Sequence, residues 1–255
     1  MGKFDGILIC SDVDGTYAGE GTIEVNNEAV KYFTDNGGKF TFSTGRPAGY
    51  IRRSDFFHII NAPVCLYNGG VVYDYKNERI LLEERLHITV QDFIKTMYEQ
   101  KDAVKRFYIF DNCKEDYIFF PDFISVTEDA RLLKPIKVIC VCKDTQSADE
   151  FRDFAEQQEI FKECCISKSD NVTVEFNSIK ASKGIALEFI KNYLGDIHTA
   201  IGVGDNGNDI PLIKHADIGV AVGNAPEEVK QVADVIVKPC NEFAIKDLIE
   251  RLEAR

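Results

Sequence analysis

No apolar run in the chain approaches the roughly 18 residues that span a bilayer, so no membrane-crossing helix is expected. The opening stretch MGKFDGILIC has no long apolar core and no cleavage site, which argues against a secretory leader. It also lacks the Ser or Thr that myristoylation needs, carrying Gly6 there instead. There is no basic cluster: the formal net charge is −12, so a general nucleic-acid binder is excluded. Eight cysteines are present, but pairs such as Cys140 with Cys142 and Cys164 with Cys165 do not form the C-x-x-C spacing of a zinc or redox site. Reduced thiols and a cytoplasmic setting are the simplest expectation. Internal repeats, low-complexity segments and Pro- or Gly-rich linkers are missing as well, so no joint between domains is marked by composition.

What the chain does have is 255 residues, 45% hydrophobic and 28% charged, enough for one large domain or two ordinary ones with a real core. Its outer parts alternate strand and helix. Residues 7–10, 39–42 and 64–67 read as strands, with helical spacing over 27–36 and 48–60 between them. The last third repeats the pattern: helix 182–194 with Ser182 as N-cap, strand 199–203, helix 209–215, strand 218–222, helix 226–233, strand 235–237 and a helix near 241–252. Strands alternating with helices, the first of them (7–10) fully apolar, predict an α/β fold with a doubly wound parallel sheet. The middle mixes strand-like runs (106–110, 117–120, 136–142, 173–176) with helix-like runs (90–100, 147–158), which predicts an inserted α+β domain. The expected division is 1–82 and 180–255 for the first domain and 83–179 for the insertion.

Four polar groups fall at strand ends or helix starts. Asp12-Val13-Asp14-Gly15-Thr16 follows the first strand directly, and ligands collect beyond the carboxyl ends of strands in open parallel sheets. A plain polar turn would use the same residue types. Two neighbouring carboxylates repel, so a proton, a cation or water must offset them. Ser43-Thr44-Gly45-Arg46 ends the second strand with a hydroxyl, backbone NH groups and a cation, a set suited to phosphate; a capped helix start with Pro47 is the ordinary alternative. Lys183 sits at a helix start, where the dipole disfavours it unless an anion lies between. Finally, Gly202-Val203-Gly204-Asp205-Asn206-Gly207-Asn208-Asp209 matches G-x-G-x-x-G, but Asp205 stands where a pyrophosphate wants only NH donors, and the match comes late in the chain. An EF-hand fails because Ile210 occupies the required glycine. A loop of acids and amides suits a hard cation such as Mg²⁺.

Taken together and in this order, DVDGT (12–16), STGR (43–46), Lys183 in ASKG and GDNGND (204–209) resemble the haloacid dehalogenase superfamily, and within it the Cof-like phosphatases with a large α+β cap of the IIB type. Asn68-Gly69-Gly70 and residues 219–234 resemble the family's continuation, whereas Asn241-Glu242-Phe243-Ala244 departs from it. The resemblance implies a Rossmann-like core, a cap that selects substrate, and a Mg²⁺-dependent phosphatase working through an aspartyl-phosphate. It implies Asp12 as nucleophile and Asp14 as general acid/base, with the Asp14 backbone carbonyl on the metal. Asp12, Asp205 and Asp209 are then the carboxylate metal ligands. Ser43, Thr44, Gly45, Arg46, Lys183 and Asn208 are the phosphate or substrate contacts. The expected partner is a small phosphorylated metabolite, a sugar phosphate or similar monoester, rather than nucleic acid or membrane, with the chain a monomer or homodimer. A phosphomutase of the same fold is the alternative within enzymes, and a receiver-like phospho-aspartate switch the alternative outside them; the latter leaves Asp14 and the inserted domain unused. A nucleotide-binding oxidoreductase shares the weakness of the G-x-G-x-x-G match.

Overall fold

A computed structural model describes residues 2–112 and 117–254. In chain order the elements are β1 (Ile7–Ser11), α1 (Ile23–Asp35), β2 (Lys39–Phe42), α2 (Ala48–Arg52), β3 (Val64–Leu66), β4 (Val71–Asp74), β5 (Arg79–Glu83), α3 (Val90–Met97), β6 (Val104–Phe110), β7 (Ile118–Phe120) and α4 (Glu128–Arg131). They continue with β8 (Lys137–Cys142), α5 (Thr145–Glu156), β9 (Cys164–Lys168), β10 (Thr173–Ser178), α6 (Lys183–Leu194), β11 (Thr199–Gly204), α7 (Ile210–His215), β12 (Ile218–Ala221), α8 (Glu227–Lys230), β13 (Val235–Ile236) and α9 (Ala244–Glu253). The chain divides into two compact units. Met1–Arg46, Tyr50–Leu81 and Ser182–Arg255 form one; Pro47–Gly49 and Leu82–Ala181 form the other.

The first unit is built on a parallel sheet in the order β13-β12-β11-β1-β2. A parallel bridge between Ser43 and Cys65 carries the sheet on to β3, which pairs antiparallel with β4 and so leads to β5. The order runs one way from β1 through β2 to β3 and the other way from β11 through β12 to β13. The reversal therefore falls between β1 and β11, the place where open α/β sheets bind ligands. Leu8, Ile9 and Cys10 are fully buried, as a strand covered on both faces requires. At about 1.5–3 kcal/mol for each large apolar side chain, that burial makes β1 a stiff base for whatever follows it. Helices α1 and α9 pack together, as do α6 and α7. Asn26, Val30 and Phe33 form the buried stripe of α1, and Asn26 Nδ2 donates to the Tyr17 carbonyl at 2.8 Å, which ties the helix to the loop after β1.

The second unit is an antiparallel sheet in the order β7-β6-β8-β10-β9. Alternation along its strands puts Phe107, Val138, Cys140, Val174 and Phe176 into one apolar cluster with Phe93 of α3 and Phe151 of α5. The opposite residues include Lys137 and Glu175, a buried ion pair at 2.7 Å. Phe120 of β7 is buried in the same cluster, whereas Tyr117 before it is exposed. Among the described residues no helix is long and apolar enough to cross a membrane, and the cysteines there are free thiols.

Helix boundaries depart from the sequence reading in places. The helix expected over 48–60 stops at Arg52 and resumes only as a 3₁₀ turn over Phe57–Ile59, because Ser54 Oγ donates back to the Ile51 carbonyl at 2.7 Å and closes the helix. The helix expected over 27–36 begins earlier, at Ile23. That expected over 90–100 ends at Met97 and tightens into 3₁₀. Ser182 does cap α6, its Oγ accepting from Gly184 N at 3.2 Å.

Candidate active site

Where β1 runs out, the backbone is already fixed on both sides. Asp12 N donates to the Val203 carbonyl at 2.8 Å, continuing the β1–β11 ladder by one residue. Ser11 Oγ donates to the Asp12 carbonyl at 2.7 Å. The Asp12 side chain is 7% exposed and meets Lys183, the first residue of α6, whose Nζ donates to Asp12 Oδ1 at 2.7 Å and to Asp209 Oδ1 at 2.6 Å. Lys183 is fully buried. Burial opposes its charge, yet Asp12 and Asp209 outweigh that cost and raise its pKa. Burial pushes the Asp12 carboxyl up to about 8, with Asp209 adding to the rise and Lys183 opposing it.

Both Asp209 oxygens accept hydrogen bonds. Its Oδ2 accepts from the backbone N–H groups of Asp205 and Asn206, each at 3.0 Å, while its Oδ1 accepts from Lys183. This carboxylate therefore folds the loop after β11 around itself. Asp205 is held differently: Thr16 Oγ1 donates to its Oδ1 at 2.8 Å, and burial raises its pKa. Gly15, at φ 81°, lets the first loop pass so close that a Cβ there would lie 2.6 Å from Asp205 Oδ2. Asn224 Nδ2 donates to the Gly15 carbonyl at 2.9 Å and closes the loop from the β12 side.

The remaining expected residues line the neighbouring strand ends. Ser43 and Thr44 are buried after β2; Thr44 N donates to the Cys65 carbonyl at 2.9 Å, and Thr44 Oγ1 accepts from Arg46 N at 3.1 Å. Ser43 Oγ has no hydrogen-bond partner among the described residues beyond its neighbour, the weakly polar Cys65 thiol. Arg46 turns toward the catalytic-side loop: Nε and Nη2 donate to Asp14 Oδ2 and Oδ1 at 2.9 and 3.1 Å, and the guanidinium lies over the Tyr50 ring at 4.7 Å. Asn208 Nδ2 donates to Asn68 Oδ1 at 3.3 Å.

Asp12, Asp205 and Asp209 bring one carboxylate oxygen each within 4.8 Å of one another. Three carboxylates against the Lys183 ammonium leave −3 + 1 = −2 when all are ionised. An all-oxygen donor set with excess negative charge fits a hard divalent cation and suits neither copper nor a thiolate-bound metal. The unsatisfied buried Ser43 hydroxyl fits an oxyanion arriving at the same place. Thr16, Asn68 and Asn224 belong to this arrangement; the sequence placed them inside its motifs (12–16, 68–70 and 219–234) without giving them a role. Thr16 lay inside the DVDGT motif, where its hydroxyl could equally cap a turn, and Asn224 lay in an apolar stretch with no charge to mark it.

Comparison with known proteins agrees with this geometry. The family model described as haloacid dehalogenase-like hydrolase matches residues 9–249. The chain is 27% identical over 232 residues to the 5-amino-6-(5-phospho-D-ribitylamino)uracil phosphatase of Bacillus subtilis, covering 90% of this chain and 88% of that one. It is 24% identical over 255 residues to the phosphoglycolate phosphatase of Methanosarcina mazei, covering 99% and 98%. The crystal structure of a haloacid dehalogenase-like hydrolase from Bacteroides thetaiotaomicron superposes with a TM-score of 0.77 at 21% identity, covering 98% of this chain and 99% of that one, a likeness of fold.

Proposed function

We infer the reaction from one premise: the chain belongs to the haloacid dehalogenase-like hydrolases. It is read here as a phosphoric monoester hydrolase acting on a small phosphorylated metabolite. Relatives named as phosphatases of a phosphorylated ribityl-pyrimidine and of phosphoglycolate support that class. The observation that carries the reading is the Asp12–Lys183–Asp209 contact at the end of β1, with Asp205 beside it and the buried Ser43 hydroxyl unsatisfied.

In this proposal a divalent cation such as Mg²⁺, held by Asp12, the Asp14 carbonyl and Asp205, supplies charge neutralisation between the anionic ester and the carboxylates. Asp209 would join the ion directly or through a water, and it also holds Lys183 and the loop carrying Asp205. A carboxylate oxygen of Asp12 attacks phosphorus, the bond to the ester oxygen breaks, and that oxygen takes the Asp14 proton as it leaves. Water then attacks the aspartyl-phosphate, gives its proton to Asp14, and releases inorganic phosphate with Asp12 restored. Lys183 and the Ser43 hydroxyl bind phosphoryl oxygens, Thr44 and Gly45 shape the loop that carries Ser43, and Asn208 stands at the rim. Arg46 holds Asp14 while no ester is bound and is free to turn to substrate. The inserted unit is assigned the choice of leaving group.

The test is phosphate release from a panel of phosphorylated metabolites with Mg²⁺, alongside EDTA and Asp12→Asn arms. Loss of release in both arms, by about a thousandfold or more for the variant, is expected when the attacking atom is removed. Release that survives Asp12→Asn would remove Asp12 from the chemistry.

A further inference from the structure

Between β3 and β4 the chain turns through three consecutive left-handed residues: Tyr67 at φ 53°, Asn68 at φ 59° and Gly69 at φ 102°. Residues with a side chain enter this region rarely, and a bulky aromatic one least readily. A tight connection between antiparallel strands accounts for positive φ values. It does not account for where this turn reaches.

Asn68 N donates to the Thr44 carbonyl at 2.9 Å, and Tyr67 N to the Arg46 carbonyl at 3.4 Å, so the turn grips the loop after β2 along its backbone. The Gly69 backbone lies against the residue before Lys183: a Cβ at Gly69 would stand 2.3 Å from the Ser182 carbonyl carbon. Asn68 Oδ1 accepts from Asn208 Nδ2 at 3.3 Å, and its amide also rests on Gly45, where a Cβ would come 3.0 Å from Oδ1. One turn therefore touches all three segments that the proposed reaction uses to hold phosphate: Thr44–Arg46, the start of α6, and the loop carrying Asn208. The fully buried Tyr67 side chain anchors it. Strained backbone that persists in such a place is a mark of pre-organisation.

We propose that Asn68 is a positioning residue of the phosphate site. Its left-handed backbone sets the loop after β2 against α6, and its side-chain amide orients Asn208 and packs the Gly45 peptide, so that the anion donors stand in place before the ester arrives. This rests on the phosphatase reading, but it concerns oxyanion binding rather than the chemical step.

The test therefore reads binding as well as turnover. Asn68→Gly retains a residue that adopts positive φ freely and removes only the amide. With Mg²⁺ present, calorimetric titration of inorganic phosphate into this variant is expected to give about tenfold weaker binding, and kcat on the best ester to fall by a similar factor, at an unchanged unfolding temperature. Asn208→Ala, made in an exposed loop residue, is expected to weaken phosphate binding comparably. Because Asn68 acts in part through Asn208, the loss in the double variant should be smaller than the sum of the two single losses. Unchanged phosphate affinity in Asn68→Gly, effects that add in the double variant, or a loss confined to the unfolding temperature would each overturn the proposal. Hydrolysis surviving Asp12→Asn would sink the phosphatase mechanism while leaving the phosphate titrations able to decide the role of Asn68.

Discussion

Lys183 lies between two carboxylates, with its ammonium shielded from water. A buried pair is weak evidence of net stabilisation, but removal of one member leaves uncompensated charge inside the protein. Lys183→Met is therefore expected to cost about 3–5 kcal/mol in urea unfolding. A loss below about 1 kcal/mol would mean that water already reaches Asp12 and Asp209. The Asp14–Arg46 pair is the opposite case, since both side chains are about half exposed, at 51% and 48%. Arg46→Ala should change the unfolding free energy by no more than about 1 kcal/mol. It should lower kcat/KM by about tenfold, because Asp14 loses its bidentate holder and the substrate a cation. Equal kinetics in the variant would reduce the pair to a surface contact. At this scale the sequence was most readable where a single residue type has few uses at a strand end, as with Asp12, Asp205 and Lys183. It was least readable for amides: Asn68 and Asn224 stood in recognised stretches, but their hydrogen bonds depend on geometry that no spacing announces.

Elements were legible where both their faces are buried. The fully apolar residues 7–10 read directly as strand β1, since a doubly covered strand is apolar at every position, and Lys39-Phe40-Thr41-Phe42 read as β2 from its alternation. Strands β4, β5 and β9 went unassigned, because β5 alternates only weakly with exposed Arg79 and Ile80 and β9 carries Ser and Lys. The break after α2 is set by a side chain bonding its own backbone, which competes with helix without altering apolar periodicity. Two elements carry predictions. Phe33 is a fully buried apolar residue of α1, packed on Phe4 with ring centroids 4.9 Å apart. Phe33→Ala should destabilise by about 3–5 kcal/mol in urea unfolding. Less than about 1 kcal/mol would show that α1 is not held by this contact. At the start of β12, the Asp217 carboxyl holds the Ala200 N–H at 2.6 Å and Lys191 at 2.6 Å. Burial raises its pKa, but the Ala200 and Lys191 bonds prevail and hold it below the ordinary carboxylate range. A depressed folded value means that its contribution is present above the unfolded pKa of about 4 and is lost as pH falls through the lower folded value. Asp217→Asn should therefore narrow the stability gap from wild type as pH is taken below about 4, and a gap that stays constant with pH would remove Asp217 from the acid response.

At the scale of the whole molecule, the net charge of −12 opposes the ligand that the site is built to take. A phosphate monoester is a dianion near neutrality. Its approach is governed by the field of the entire surface until it comes within a Debye length, about 10 Å at 0.1 M salt, of the local cations. The surplus of acids made this field legible from composition alone, whereas the local sign at the site depends on Lys183 and Arg46 standing where only the fold could bring them. The two scales make opposite demands on salt. If the global field governs encounter, screening it helps the anion, and kcat/KM at saturating Mg²⁺ should rise by about two- to threefold between roughly 20 and 200 mM KCl. If the fixed donors and the bound cation govern encounter, screening weakens their pull and kcat/KM should fall over the same range. Because Lys183 is buried and already paired with two carboxylates, it projects little field into solvent, and Arg46 is answered by Asp14. The rise is therefore the expected result. A fall would show that the positive charge of the loaded site reaches solvent against the acidic surface, and that the metal rather than either side chain draws the substrate in.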